Sequence, residues 1–387
     1  MSFTNIPQPQ GTAPGVISLL LGHPDPETLL PAELREAMQR VLTSPYAYTG
    51  LQYGAEQGVQ SLIEVLVGKI NREQGLALQP ANVMIVAGST HAVDMLARLY
   101  AGAGSVVLVE APTYVDSLHV FRDHHVELHA VPMDEDGLIP GELEKRVIQL
   151  QERGTPPCML YTIPNFHNPT GRTLSEARRV EIVRLARQYN FLIVEDDVYR
   201  DLPFEGTVPA SFYALANGEQ VFSIGSFSKT LAPGLRLGWL VGSAEDIQRC
   251  ANCGTALMGG GANPFTAQIV AEYCRSGAWE QHIQRLRPLY KMRRDVALAA
   301  LERYMPSGVE WTHPQGGFFL WLRLPEHLSA QQIRQQALQQ GVSLAAGAGF
   351  FVNSADGEHH LRLAYSCATP DDIDAGIRIL ARVISNW

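Results

Sequence analysis

The sequence predicts an α/β fold: a large unit built on a mostly parallel, seven-stranded sheet between helices, followed by a smaller α+β unit. Three observations predict it. Short β-branched runs alternate with helical patterns from about Ala81 to Gly242. Most of these runs are apolar throughout, as strands buried on both faces require. Beyond Gln281 the alternation stops, and a long charged helical stretch leads to two isolated strand patterns.

The strand candidates of the large unit are Val83–Val86, Val106–Val109, Val126–Val131, Met159–Ile163, Phe191–Val194, Val221–Ile224 and Leu237–Val241. Val126–Val131 alternates apolar with polar residues, which places it nearer an edge. Between strands, Ala92, Met95, Leu96 and Leu99 recur on one helical face. Thr173-Leu174-Ser175-Glu176 reads as a capping box opening a helix that runs to about Tyr189. In the small unit, Gln281–Arg303 reads as a helix, Gly316–Leu322 and Leu361–Ala364 as strands, and Thr369-Pro370-Asp371-Asp372 as the start of a last helix.

At 387 residues, with 46% hydrophobic and 18% charged, the chain has the composition of a globular protein with a sizeable core. Thirty basic against 39 acidic residues give a formal net charge of −9, which argues against a nucleic-acid surface. No apolar run reaches the length of a membrane span, and Met1–Gly15 lacks the apolar centre of a signal peptide. A cytoplasmic protein is expected. The five cysteines are an odd, scattered set, which argues against a disulfide framework. Cys250-x2-Cys253 has no second pair to complete a zinc site, so no metal is expected and the two read as small apolar residues on a helix face.

The most telling stretch is Ser226-Phe227-Ser228-Lys229-Thr230-Leu231-Ala232-Pro233-Gly234-Leu235-Arg236-Leu237-Gly238-Trp239. A lysine near a second cation has its charged form disfavoured, and a neutral lysine can form a Schiff base with an aldehyde. Ser226, Ser228 and the fork of Arg236 suit a phosphate. An aldehyde and a phosphate on one small molecule describe pyridoxal phosphate (PLP). Gly88-Ser89-Thr90 follows the first strand and opens a helix, whose free N–H groups also suit a phosphate.

The Ser226–Gly238 string resembles the Schiff-base lysine signature of fold-type I PLP-dependent aminotransferases of class I and II. The likeness is strongest to the subgroup with 2-aminoadipate and kynurenine aminotransferases and the aminotransferase-like domain of MocR regulators. The resemblance covers nearly the whole chain and implies a role for each further motif. Glu110-Ala111-Pro112-Thr113-Tyr114 brings Tyr114 to stack on the pyridine ring. Asn165-Phe166-His167-Asn168-Pro169-Thr170-Gly171 brings Asn168 to the cofactor phenolate, and in Glu195-Asp196-Asp197-Val198-Tyr199 the Asp196 and Tyr199 positions match the pyridine-nitrogen partner and a second phenolate donor. Asp197 is the rival for the Asp196 role if the register slips by one. The intervals Asn168 to Asp196 (28), Asp196 to Lys229 (33) and Lys229 to Arg236 (7) agree with the subgroup.

By the same resemblance Tyr53, in Leu51-Gln52-Tyr53-Gly54, reaches the phosphate of a neighbouring subunit, so a homodimer with shared active sites is implied. Arg362 matches the arginine that binds a substrate α-carboxylate; an arginine between leucines in a strand could instead point outward. Gly22 borders the substrate pocket. The N-terminal segment joins the small unit, giving 46–284 as the large PLP-binding domain and 1–45 with 285–387 as the small one. Three departures stand out: Gly-Ser-Thr-His at 88–91 where the family has Gly-Ser-Gln-Gln, leaving the role of His91 open; Leu21 and His23 around Gly22; and Ala346-Gly347-Ala348-Gly349-Phe350 late in the chain.

The activity implied is transamination between an L-amino acid and a 2-oxo acid by a ping-pong route through Lys229. A PLP-dependent lyase, decarboxylase or cyclising synthase shares the same electron sink and stays open. A ligand-sensing regulator is the non-enzymatic alternative, disfavoured by the acidic charge.

Overall fold

The computed structural model describes residues 15–29, 31–45 and 47–387. The described chain enters on β1 (Ile17–Ser18) and then builds one large sheet from β2 (Val83–Val86), β3 (Val106–Ala111), β4 (Glu127–Asp134), β5 (Gly137–Leu138), β6 (Pro157–Thr162), β7 (Leu192–Asp196), β8 (Val221–Ser226) and β9 (Gly238–Val241). Their order in space is β2-β9-β8-β7-β6-β3-β4-β5. The pairs β3–β4, β3–β6, β6–β7 and β7–β8 are parallel, whereas β9 runs antiparallel to both β2 and β8.

Seven of these strands fall on the predicted runs. The eighth, β5, is a two-residue hairpin arm on β4, too short to show a periodicity in the sequence. It makes β4 the strand next to the edge, and the mixed exposure along β4 matches its alternating sequence. The predicted strand from Leu237 begins one residue later, because Arg236 sits in the left-handed region.

Two apolar layers sandwich the sheet. Leu108, Leu160, Ile193 and Val241 face one, with the helix Gln60–Gln74; Val107, Met159, Val194 and Ile224 face the other, with the helix Ser89–Leu96. The helix Glu176–Tyr189 starts with Ser175 at its N-cap, not Thr173. The Thr173 hydroxyl instead accepts from the Phe166 N–H at 3.3 Å. Leu99 lies beyond the end of its helix, in a π-helical turn over Ala97–Ala101. Cys250 closes one helix and Cys253 caps the next, so the two do not share a helix face.

The remaining strands are β10 (Glu310–Trp311), β11 (Phe319–Arg323), β12 (Val342–Ser343), β13 (Ala345–Ala346) and β14 (His360–Ala364). They form a sheet in the order β10-β11-β14-β13, while β12 pairs in parallel with β1. The predicted strand at Gly316 starts only at Phe319, because Gly317 takes a φ of +72° and Gly316 bridges to Pro203. The helices Pro370–Ser385, Ala330–Gln339 and the later turns of Ala278–Tyr304 cover this small sheet. Leu34 and Ala37, on the helix Ala32–Thr43, pack into the large-sheet core. The N-terminal segment therefore divides, its first part to the small sheet and its helix to the large one.

The register places the site. Val86 at the end of β2 pairs with Gly238 at the start of β9, and Gly238 pairs with Ser226 at the end of β8. Three loops thus emerge side by side: Ala87–Ser89, Phe227–Leu237 and, after β7, Asp197–Tyr199. Parallel sheets bind ligands at this carboxyl edge.

Candidate active site

The turn carrying Lys229 is anchored from several sides. The Phe227 carbonyl accepts from the N–H groups of Leu231 (2.8 Å) and Ala232 (3.1 Å), and Ser226 Oγ accepts from the Ser228 N–H at 3.1 Å. The Phe227 ring packs between Trp239 and Trp279, with centroids at 5.1 and 4.7 Å. Trp279 Nε1 donates to Thr230 Oγ1 at 3.1 Å, tying the residue next to the lysine into the core. Lys229 Nζ reaches into the cleft, donates to the Gly22 carbonyl at 3.1 Å and lies 5.6 Å from the Tyr199 ring centroid. Burial, with the Arg362 and Arg236 charges behind it, brings its pKa down to about 8, against the pull of Asp196.

A cradle of phosphate size forms where β2 and β8 end and β9 begins. Gly88 has a φ of +86° and precedes the helix Ser89–Leu96. A Cβ there would lie 2.6 Å from the Arg236 guanidinium, so only glycine lets the two approach. Arg236 Nη2 donates to the Ala87 carbonyl at 3.0 Å. His91 supplies the other half of a clamp: its Nδ1 accepts from the Ala87 N–H at 3.1 Å. Burial holds the His91 pKa below the usual imidazole value, which keeps this acceptor unprotonated. The Ala87 peptide, one residue before the cradle glycine, is thereby held at both its N–H and its C=O.

Ser89, Thr90, Tyr114, Asp116, Tyr161 and Asp196 line one cavity. Tyr114 donates to Asp116, which fixes the ring's tilt. Asp196 is buried; its Oδ2 accepts from the Tyr161 hydroxyl at 2.7 Å and its Oδ1 has no partner. Burial pushes its pKa up to about 6, although the Tyr161 bond and Lys229 pull the other way. Asp197 faces elsewhere: its carboxylate accepts from Asn165 Nδ2 at 2.6 Å and Arg200 Nη1 at 3.0 Å. A cationic pyridine N–H fits the open Asp196 oxygen, and the cradle at the far end fits a phosphate, so the residues present suit PLP.

The other side of the cleft is built by the small sheet and the N-terminal strap. Leu361 and Leu363 of β14 face the small core, so Arg362 between them faces the cleft. It is buried between the Phe319 and Phe350 rings, 4.5 and 4.9 Å from their centroids. Its Nη1 donates to Asn168 Oδ1 at 2.9 Å, its Nη2 to the Leu20 carbonyl at 2.6 Å, and its Nε has no partner. Burial lowers its pKa to about 10, which leaves it cationic at neutral pH. A Cβ on Gly22 would lie 2.3 Å from the Phe319 ring, so the strap can follow this path only with glycine there. Tyr199 is buried edge-on against Phe318 and Phe319.

Ser226 and Ser228 shape the turn that carries Lys229, and ten more of the thirteen predicted site residues line the cleft or bond across it. Tyr53 does not: it is 81% exposed, and its N–H donates to the Gln52 side chain next to it. Sequence reasoning missed Tyr161, whose one signal is a phenol beside Thr162 at the end of β6, on the face that β7 gives to Val194 and Asp196. It also missed the Leu20 and Gly22 carbonyls, which have no residue signature.

Residues 16–380 match the family described as aminotransferase class I and II. The aromatic-amino-acid aminotransferase 1 of Thermococcus litoralis is 34% identical over 371 residues, covering 95% of this chain and 88% of that protein. The 2-aminoadipate transaminase of Thermus thermophilus is 32% identical, covering 96% and 90%. The crystal structure of Pyrococcus horikoshii kynurenine aminotransferase in complex with PMP superposes with a TM-score of 0.92 at 34% identity, covering 96% of this chain and 91% of that one. With the fold, the motif order and these likenesses in agreement, the chain belongs to the class I and II aminotransferases and is a PLP-dependent enzyme of amino-group transfer.

Proposed function

We propose that the enzyme moves an amino group between an L-amino acid and a 2-oxo acid in two half-reactions, with Lys229 as the Schiff-base lysine and Arg362 as the α-carboxylate anchor. The observation that carries this reading is the convergence of Lys229 Nζ, the open Asp196 oxygen and the Arg362–Asn168 pair on one cleft. When bound, the cofactor supplies the electron sink for charge developing at the substrate Cα. Asp196 would keep the pyridine nitrogen protonated. Asn168 and Tyr199 would donate to the phenolate oxygen, and Tyr114 would cover the ring face. Lys229, released from the cofactor and poised near neutrality, would carry the proton between Cα and the cofactor carbon. Ser89, Thr90, Ser226, Ser228 and Arg236 would hold the phosphate.

The reading includes a homodimer. Tyr48, Leu51, Tyr53 and Met258 are large and 68%, 72%, 81% and 91% exposed. Gly260 packs on the Gly54 backbone, so Tyr53 and Met258 belong to one apolar surface. A second copy covering it would bring its own Tyr53 to this phosphate cradle. The domain division that we propose joins 15–29 with 285–387, and helix Ala32–Thr43 with 46–284.

The test is the absorbance spectrum of the PLP-loaded protein as amino acids are added singly, without an oxo acid. Loss of the visible cofactor band with one equivalent of 2-oxo acid released supports transfer and names the donor. Catalytic consumption of the amino acid without an oxo acid would overturn it.

A further inference from the structure

We propose that the buried Glu110–His167 pair is a positioning device for Asn168, acting on both the cofactor oxygen and the substrate carboxylate; this rests on the site reading above. Glu110 and His167 are each 1% exposed. Glu110 ends the apolar core of β3 and spends its carboxylate on the neighbouring strand: Oε1 accepts from the Thr162 hydroxyl at 2.7 Å and Oε2 from the Ile163 N–H at 2.9 Å. His167 Nε2 lies 3.1 Å from the same Oε2, at ion-pair distance but off the line of a hydrogen bond, and has no other partner among the described residues.

The other side of the His167 ring fixes its tautomer. Nδ1 lies 3.0 Å from the Thr170 hydroxyl and 3.4 Å from the Thr170 N–H. A nitrogen that accepts a backbone N–H carries no proton, so the proton sits on Nε2, the nitrogen beside Glu110. The backbone is held as well: the His167 N–H donates to Arg172 O at 2.8 Å, and the His167 carbonyl accepts from Gly171 N–H at 2.6 Å. The loop therefore closes around His167, and the next residue outward is Asn168.

The far end of the loop is held by different residues. Arg179 Nη2 donates to Asn165 Oδ1 at 2.7 Å and to Pro164 O at 3.1 Å. Those bonds locate the start of the loop, whereas the Glu110–His167 contact locates the peptide that carries Asn168. The Asn168 amide has two duties. Its Oδ1 accepts from Arg362, and its Nδ2 is left to donate toward the cleft. A shift of the His167 ring would detune both.

The experiment compares His167→Ala, His167→Gln and Glu110→Gln in the PLP-loaded enzyme. Two readouts are followed: the pH midpoint of the cofactor's visible band, and KM against kcat for the amino acid. A donor lost from the phenolate oxygen makes that oxygen hold the neighbouring Lys229 nitrogen's proton more tightly. His167→Ala should therefore raise the midpoint by about one pH unit. It should also raise KM about ten-fold through the loosened Arg362. His167→Gln, which offers one donor and one acceptor at similar reach, should restore both. Glu110→Gln should shift both in the direction of His167→Ala.

A His167→Ala enzyme with the parent's midpoint and KM, whatever its melting temperature, would overturn the proposal. So would a His167→Gln enzyme no better than the alanine variant. If His167→Ala does not fold, a Glu110→Gln enzyme with the parent's midpoint and KM overturns it. A parent protein with no titrating band at all would instead sink the site assignment beneath the proposal.

Discussion

Arg362 Nη1 donates a 2.9 Å hydrogen bond to Asn168 Oδ1, joining the small sheet to the loop after β6 across 194 residues of chain. In the proposed site one side chain would take the substrate carboxylate and the other the cofactor, so occupancy on one side would be felt on the other. Replacing Arg362 with Lys keeps the charge but loses the planar fork. The kcat/KM for α-amino acids should fall about 10²–10³-fold, as expected for losing a bidentate charged pair. Turnover of an amine without a carboxylate should change little, and comparing the two substrates checks the assignment.

Asp196 trades stability for function. Its pKa rises from 3.8 in the unfolded chain to about 6 in the fold. Below about 3.8 both states are protonated and nothing is lost; above about 6 the fold carries a buried anion that it disfavours, so this group's contribution falls as pH rises through that window. Before the cofactor binds, the cost at neutral pH is roughly 3 kcal/mol. Asp196→Asn should raise the melting temperature of the cofactor-free protein at pH 7.5 and lose transfer activity. Calorimetry at pH 4 and pH 7.5 should show the gain only at the higher pH.

Lys229 has the opposite sense. A lysine with its pKa lowered to about 8 gains its neutral, nucleophilic form as pH rises through that value. The rate at which cofactor-free protein captures PLP should climb with a midpoint near pH 8, followed by stopped-flow absorbance. Lys229→Ala should abolish turnover while keeping some cofactor affinity.

His91 clamps the Ala87 N–H. His91→Ala should weaken PLP binding about five-fold, the value of one net hydrogen bond. His91→Gln, which can present an acceptor oxygen, should lie nearer the parent. Fluorescence titration of cofactor-free protein measures both.

Tyr53 lies on the exposed apolar surface. Tyr53→Phe should leave the dimer intact by sedimentation but weaken PLP retention about five-fold, through one lost hydroxyl contact. Retention of PLP that does not depend on protein concentration, at dilutions where the dimer dissociates, would refute a shared cradle.

Much of this was legible in the sequence because the large sheet is buried on both faces, so its strands read as apolar runs and its functional residues sit just past their ends. Asp196 and Lys229 stand out in motifs at such strand ends, and Asn168 only through the Asn-Pro-x-Gly element of the family that the chain resembles. Other features left no trace. Whether Arg362 faced out or in depended on the large unit covering that side of β14. Tyr161 looks like a core aromatic until Asp196 is seen beside it. His91 reads as a departure from a motif, and only the fold shows its nitrogen on the Ala87 amide. Thr173 resembled a cap because its spacing to Glu176 was right, but the loop at Phe166 took its hydroxyl instead.

The strap from Leu20 to Gly22 has a last consequence. Its carbonyls already accept from both cations of the cleft, Arg362 at Leu20 and Lys229 at Gly22. Lys229 would give up its bond on taking the cofactor, whereas the Leu20 carbonyl on Arg362 is an internal stand-in for a ligand's oxygens, so that substrate entry would be an exchange of bonding companions rather than the filling of a void. Affinity then depends on how readily these three residues of backbone let go. Tuning that grip, through the bulk at Leu21 or the ring at His23, would act on the carboxylate that every amino acid carries.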